Sequence, residues 1–223
     1  MAGLAVDGVA RVAPTRFDVQ KKSIHASEQE RPDVQQKRTE FREQAQTFDP
    51  QRLIFIDETG ATTAMGRLYG YALRGQRLVD ALPHGHWKTT TFVGALGIDG
   101  FRAPMVLDGA LDGPMFRAYV RQVLIPELRP GDIVIMDNLP SHKVSGIRDD
   151  IEAAGCRLEY LPPYSPDFNP IEQAFSKLKR LLRSAGERTV DGLWSTIGKL
   201  LDRFQPDECR NYFRHCGYTA TST

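Results

Sequence analysis

A chain of 223 residues can bury one full core with a small appendage. Apolar residues make up 41% and charged residues 26%, which excludes a disordered chain. The formal net charge of +1 excludes a global basic field as the means of attracting nucleic acid.

Three cysteines, Cys156, Cys209 and Cys216, form no CxxC pair and no disulfide framework is indicated; with His215 they fit no zinc-ligand spacing. No apolar run reaches the ~18–20 residues needed to span a bilayer, and Met1 to Ala13 lacks the basic start of a signal peptide. A reducing cytoplasm is the expected compartment.

Residues 1–20 carry no clean period, and residues 21–48 are strongly polar. Asp33 to Phe48 is good helix-forming sequence with few core residues, so residues 1–49 are expected to be an arm with a connecting helix. The fold proper is expected over residues 50–217, leaving 218–223 as a disordered tail. It should open with the run Leu53-Ile54-Phe55-Ile56, a buried strand ending on Asp57-Glu58-Thr59-Gly60. Tyr69 to Gln76 reads as an extended segment entering a Gly turn. His84, His86, Trp87 and Lys88 form a polar-aromatic loop that either contacts DNA or anchors itself through the aromatic ring. Thr89 to Ile98 and Pro104 to Leu107, joined through Asp99-Gly100, complete an antiparallel meander.

Asp112 or Gly113 should open a helix with Pro114 near its start and Phe116, Tyr119, Val120, Val123 and Leu124 facing the core. Ile133-Val134-Ile135-Met136 is a second buried strand, ending on Asp137-Asn138. A helix from Ser141 or His142 to Ala154 and a strand from Cys156 to Leu161 should follow. Pro162, Pro163, Pro166 and Pro170 stiffen the approach to Glu172. The helix from Asn169 shows one apolar stripe, and Glu172, Ser176, Lys179 and Arg183 share another face. From Glu172 to Arg188 five basic residues stand against two Glu, either a solvated face or a DNA-facing one; Lys177, Lys179, Arg180 and Arg183 are its candidates for DNA contact, with Lys88. Thr189 to Phe204 and Pro206 to His215 read as two more helices. The element order predicts an α/β fold with a mixed sheet, antiparallel first and parallel after, flanked by helices.

Asp57 and Asp137 each follow an apolar run directly, where sheets of this kind place their active sites. Convergent carboxylates are the hard oxygen ligands that a magnesium-type centre for phosphoryl chemistry requires. Glu58 competes with Asp57, and strand parity favours Asp57. Glu172 is either a ligand or the N3 member of a capping box with Asn169; Asp167 is a substitute for it. Asn138 either orients a ligand or closes an Asx turn. Ser141 and His142, as chain neighbours without a nucleophile elbow, make no hydrolytic triad.

The blocks Asp57-Glu58-Thr59-Gly60, Arg74-Gly75-Gln76-Arg77, Asp137-Asn138-Leu139-Pro140-Ser141-His142 and Leu161 to Glu172, with thirty-four residues between Asp137 and Glu172, resemble the DDE transposases of the IS630/Tc1/mariner superfamily, and the IS630 branch most. The resemblance spans about residues 20–217, with Pro140 and Phe168 standing where that family more often has a small residue and Leu. It implies a ribonuclease H-like fold and two Mg²⁺ or Mn²⁺ ions held by Asp57, Asp137 and Glu172, with Asn138 and His142 in support. It implies cleavage of element ends by water and attack of the freed 3′-hydroxyl on target DNA, with TA as target, a homodimer as the acting form and the bacterial nucleoid as location. A metal-dependent nuclease without strand transfer, or an inactive DNA-binding remnant, are the alternatives. The family normally carries helix-turn-helix units, none of which is legible in residues 1–49, so end recognition is expected from an upstream product.

Overall fold

The computed structural model describes residues 26–79, 81, 85 and 87–219. His84, His86 and the first 25 residues of the expected arm lie outside the described residues.

Five strands form one sheet: β1 (Leu53–Thr62), β2 (Thr89–Gly97), β3 (Gly100–Asp108), β4 (Ile133–Met136) and β5 (Arg157–Tyr160), in the order β3-β2-β1-β4-β5. β1, β2 and β3 pair antiparallel, while β4 and β5 join β1 in parallel. The expected mixed sheet is therefore present. Around it stand α1 (Pro32–Ala45), α2 (Gly113–Tyr119), α3 (Ile147–Ala153), α4 (Pro170–Ala185), α5 (Val190–Leu201) and α6 (Pro206–His215).

Strand alternation splits the core in two. Leu53, Phe55, Phe92, Leu96 and Ile135 pack with α1, α4, α5 and α6 on one face. Ile54, Ile56, Val93, Val134, Met136 and Leu158 pack with α2 and α3 on the other. Both faces are covered, which explains why the strands read as continuous apolar runs.

Four sequence expectations are corrected. First, β1 does not stop at Ile56. Its antiparallel register with β2 continues from Phe55 to Thr62, and only the parallel pairing with β4 ends at Ile56↔Met136. Asp57 thus sits where the parallel half of the sheet opens. Opposite it on β2 is Gly94, beside a register shift between Val93 and Ala95. A Cβ there would lie 3.0 Å from the Phe92 ring and 3.1 Å from that of Phe101, so a side chain would force this packed site apart. Second, β3 runs from Gly100 to Asp108 and is longer than the expected Pro104 to Leu107; Tyr69 to Gln76 enters the expected Gly turn, closed by the Gln76 N–H donating to Leu73 O at 2.9 Å. Third, the helix expected from His142 begins only at Ile147. Pro140–Lys143 is a 3-10 turn, and Gly146 at φ 88° separates it from α3. Fourth, Tyr218 is not part of a free tail. It is 4% exposed and its hydroxyl donates to Phe168 O at 2.8 Å.

α1 is more than an arm: Val34, Phe41 and Phe48 are buried, and Phe41 stacks on Phe168 with ring centroids 5.7 Å apart. Asp112 caps α2 by accepting from the Met115 N–H, with Pro114 in the first turn, as expected. α4 buries Ile171, Ala174, Phe175, Leu178 and Leu182, and Gly186 ends it in a left-handed conformation by donating its N–H to Leu182 O.

Candidate active site

Asp57, Asp137, Asn138, Asn169 and Glu172 line one cleft of about 450 Å³, whose other wall is the proline-rich block from Leu161 to Pro166. The three acids predicted from the sequence are thus brought to one place from β1, the end of β4 and the first turn of α4. Asp57 and Asp137 arrive together because each is the next residue after the paired Ile56 and Met136.

Asp57 is buried against its neighbours of like charge. Burial first, then Asp137 and Glu172, push its carboxyl up from 3.8 to about 7. Its Oδ1 accepts the Glu58 N–H at 2.8 Å and its Oδ2 accepts Asn169 Nδ2 at 2.9 Å. Each oxygen keeps a further lone pair.

Glu58 points to the opposite face, as strand parity requires, and there it meets His142. The imidazole is fully buried against the Phe116 ring, at 4.3 Å between centroids. Nε2 donates to Glu58 Oε2 at 2.9 Å and Nδ1 to Asp137 Oδ1 at 2.7 Å. Burial disfavours charge on His142, but these two hydrogen bonds and the two carboxylates outweigh it and lift its pKa to about 9. Burial works against ionisation of Asp137 as well, yet the bonds from His142 and the Leu139 N–H, at 3.0 Å, hold it below the usual carboxylate range. His142 is therefore an imidazolium strut between two acids.

Of the two readings of Glu172, the capping box with Asn169 is absent. Asn169 occupies the N-cap position of α4, but its side chain makes no cap bond and reaches Asp57 instead. Its Oδ1 is buried without a partner. Sequence reasoning gave Asn169 only the cap role, because the same Asn-Pro-x-Glu pattern serves both. Asn138 donates to Leu161 O and so ties the end of β4 to the start of the proline-rich wall. Asp167, the substitute acid, is turned away to Arg38 on α1 and leaves Glu172 as the acid of this block in the cleft.

The proposed DNA-contacting residues divide. Lys177 donates to Arg203 O at 2.8 Å and to Glu208, and lies over the Phe204 ring. It is spent on packing α4 against α6. Lys179 and Arg183 lie on the Glu172 side of α4, partly exposed, and Arg180 is exposed. Lys88 is exposed at the start of β2, where its backbone pairs with Thr63.

No three His, Cys, Asp or Glu side chains among the described residues stand at metal-holding distances. The donor set is nevertheless one of hard oxygens throughout, with the orphaned Asn169 Oδ1 alongside, and it suits Mg²⁺ or Mn²⁺ and not zinc.

Among the described residues no helix is long and apolar enough to cross a membrane. No curated protein matches the chain. Among solved structures, the Mos1 strand transfer complex has a TM-score of 0.70 at 16% identity, over 91% of this chain and 62% of that one. The Mos1 mariner paired-end complex with Mn gives 0.62 at 20% identity, over 89% and 62%. The Mos1 transposase catalytic domain with Raltegravir and Mg gives 0.53 at 18% identity, over 83% and 89%. The chain thus spans about 62% of the length of the first two proteins and shares the ribonuclease H-like fold of their catalytic region. The family model for the DDE superfamily endonuclease matches residues 52–192, well over half of the chain, and this chain belongs to that family of nucleic-acid-cleaving enzymes.

Proposed function

We propose that this chain is the catalytic domain of a DNA transposase of the IS630/Tc1/mariner type, with residues 50–217 as the catalytic unit. The observation that carries the reading is the meeting of Asp57, Asp137 and Glu172 in one cleft, where burial first and then the other two acids raise the Asp57 carboxyl to about 7. These three residues would hold divalent metal, Mg²⁺ or Mn²⁺, in two-ion fashion. When bound, such metal polarises a phosphodiester and lowers the pKa of water.

The protein's own part is positioning. The Glu58–His142 pair fixes Asp137 through Oδ1 and leaves Oδ2 for the cleft. The Glu58 N–H and Asn169 fix Asp57 through Oδ1 and Oδ2 respectively, each oxygen keeping a further lone pair. Asn138 and His142 support the site through the wall and the strut, without facing the reacting phosphate. Double-stranded DNA would lie across the cleft mouth, its phosphates near Lys88, Lys179, Arg180 and Arg183. Water attacks phosphorus at the element end, the bond to the 3′ oxygen breaks, and a 3′-hydroxyl is released with a 5′-phosphate on the other fragment. That hydroxyl would then attack phosphorus of a target phosphodiester, joining to the target's 5′-phosphate as the bond to the target's own 3′ oxygen breaks and leaves a 3′-hydroxyl. The Mos1 neighbours are complexes with transposon ends and with Mn or Mg, which agrees with this substrate and these ions.

Purified protein with Mn²⁺ should nick a duplex carrying the element ends, and Asp57→Asn, Asp137→Asn and Glu172→Gln should each lower nicking by at least about a hundredfold. A variant that nicks as well as wild type removes its residue from the site. Pre-cleaved ends should be joined to a second duplex; hydrolysis alone would leave the nuclease and defeat the transposase.

A further inference from the structure

α1 grips the active-site wall through one arginine. The Arg38 guanidinium donates to Ser165 Oγ at 2.8 Å and, as a two-pronged fork, to Asp167 Oδ1 and Oδ2 at 2.9 and 2.7 Å. It also lies over the Phe168 ring, 4.5 Å from its centroid, next to the stacked Phe41. Ser165 of the wall, and Asp167 and Phe168 just after it, are thus held by one side chain that is itself only 14% exposed. Just before them, Tyr164 has φ 55°, a left-handed conformation disfavoured for a bulky residue and held only where its surroundings enforce it. Its carbonyl accepts from Gln29 and lies 3.5 Å from Arg38. Just after them come Asn169, which reaches Asp57, and Glu172.

We propose that Arg38 is a positioning residue for the cleft: by fixing Ser165 and Asp167 against α1 it sets where Asn169 meets Asp57 and where Glu172 enters. This inference rests on the metal-site reading above. The ion pair contributes modestly to the fold, because Asp167 is half exposed to water. Val34 and Phe41 of α1, and Phe48 just beyond its end, are buried and dock the helix separately. The consequence of losing Arg38 therefore falls on site geometry. Lysine keeps the charge but has neither the fork nor the planar stack, so it does not substitute.

The test is Mn²⁺ binding to the full chain, followed by electron paramagnetic resonance, with thermal melting alongside. Wild type should bind Mn²⁺ and Asp57→Asn should bind it far more weakly. Arg38→Ala and Arg38→Lys should each weaken binding about tenfold, the scale of lost outer-sphere support, while melting close to wild type. Asp167→Asn should show a smaller loss in the same direction. Arg38→Ala with Asp167→Ala should bind no more weakly than Arg38→Ala alone, since the two act as one unit. Unchanged Mn²⁺ affinity in the Arg38 variants overturns the inference and leaves the metal site standing. A loss of binding that merely tracks the unfolded fraction also overturns it, as that is a structural role. Equal binding by wild type and Asp57→Asn overturns the site reading and this inference with it.

Discussion

Asp57 and Glu58 are chain neighbours on one strand and serve opposite faces of it. The odd position joins Asn169 and the cleft, and the even one joins His142 behind Asp137. Strand parity made this division legible from the sequence. The role of His142 was less legible, because its partners lie five and eighty-four residues away and only the fold brings them together. Asn169 was misread for the opposite reason: a sufficient local explanation, the cap, concealed the long-range one. Both perturbed groups have a consequence for stability. Asp57 is raised from 3.8 to about 7 and His142 from 6.5 to about 9, so the native state holds more protons than the unfolded chain in both windows. Native stability is then full below each unfolded pKa and is lost as pH climbs toward the folded one. These two groups should accordingly lower the melting temperature of metal-free protein progressively from about pH 4 to about pH 9, Asp57 over the lower part and His142 over the upper. Mg²⁺ should restore most at the alkaline end, where Asp57 has given up its proton. A melting temperature that is flat or rises with pH in chelator would contradict the pKa assignments.

Among the elements, α4 shows how far periodicity reaches. Its apolar stripe and its Glu172–Lys179–Arg183 face follow from helical spacing, and so does its glycine stop. What spacing does not disclose is which basic residues find partners. Lys177 lies two residues before Lys179, on another side of the helix, and is claimed by Glu208, Arg203 O and Phe204, all on segments placed later in the chain. The two residues should therefore behave differently when cut to alanine. Lys177→Ala should lower stability by about 1–2 kcal/mol, from the lost charge-assisted bonds, and leave the salt dependence of DNA binding unaltered. Lys179→Ala and Arg183→Ala should each reduce the slope of log affinity against log salt by about one and leave melting unchanged. Titrations at several salt concentrations, with melts, check this; a slope change in Lys177→Ala would return it to the DNA face. The shortened α3 has a similar lesson. Gly146, visible in the sequence inside the expected helix, takes a left-handed conformation and stops it from starting before Ile147.

At the level of the whole molecule, the mixed sheet with helices on both faces was legible because its central strands β1 and β4 carry the apolar runs Leu53–Ile56 and Ile133–Met136 and turn residues bound the others. The docking of α1 was not. A polar sequence with few core residues looks like an arm until Phe41 and Phe48 are seen to bury themselves beside Phe168. Nor was the extension of β1 past Asp57, since Glu58 to Thr62 has no apolar run and is held by β2. The outcome is a site assembled from segments over a hundred residues apart, with Asp57 and Glu172 delivered by different elements to one cleft. The claim at its centre is that this cleft holds metal between Asp57, Asp137 and Glu172. Crystals soaked in Mn²⁺ and measured at the manganese absorption edge test it most directly. Anomalous density within bonding reach of those three carboxylates is the expected result. Density that instead gathers at Glu58 or Asp167, or none in a cleft with ordered side chains, would contradict it.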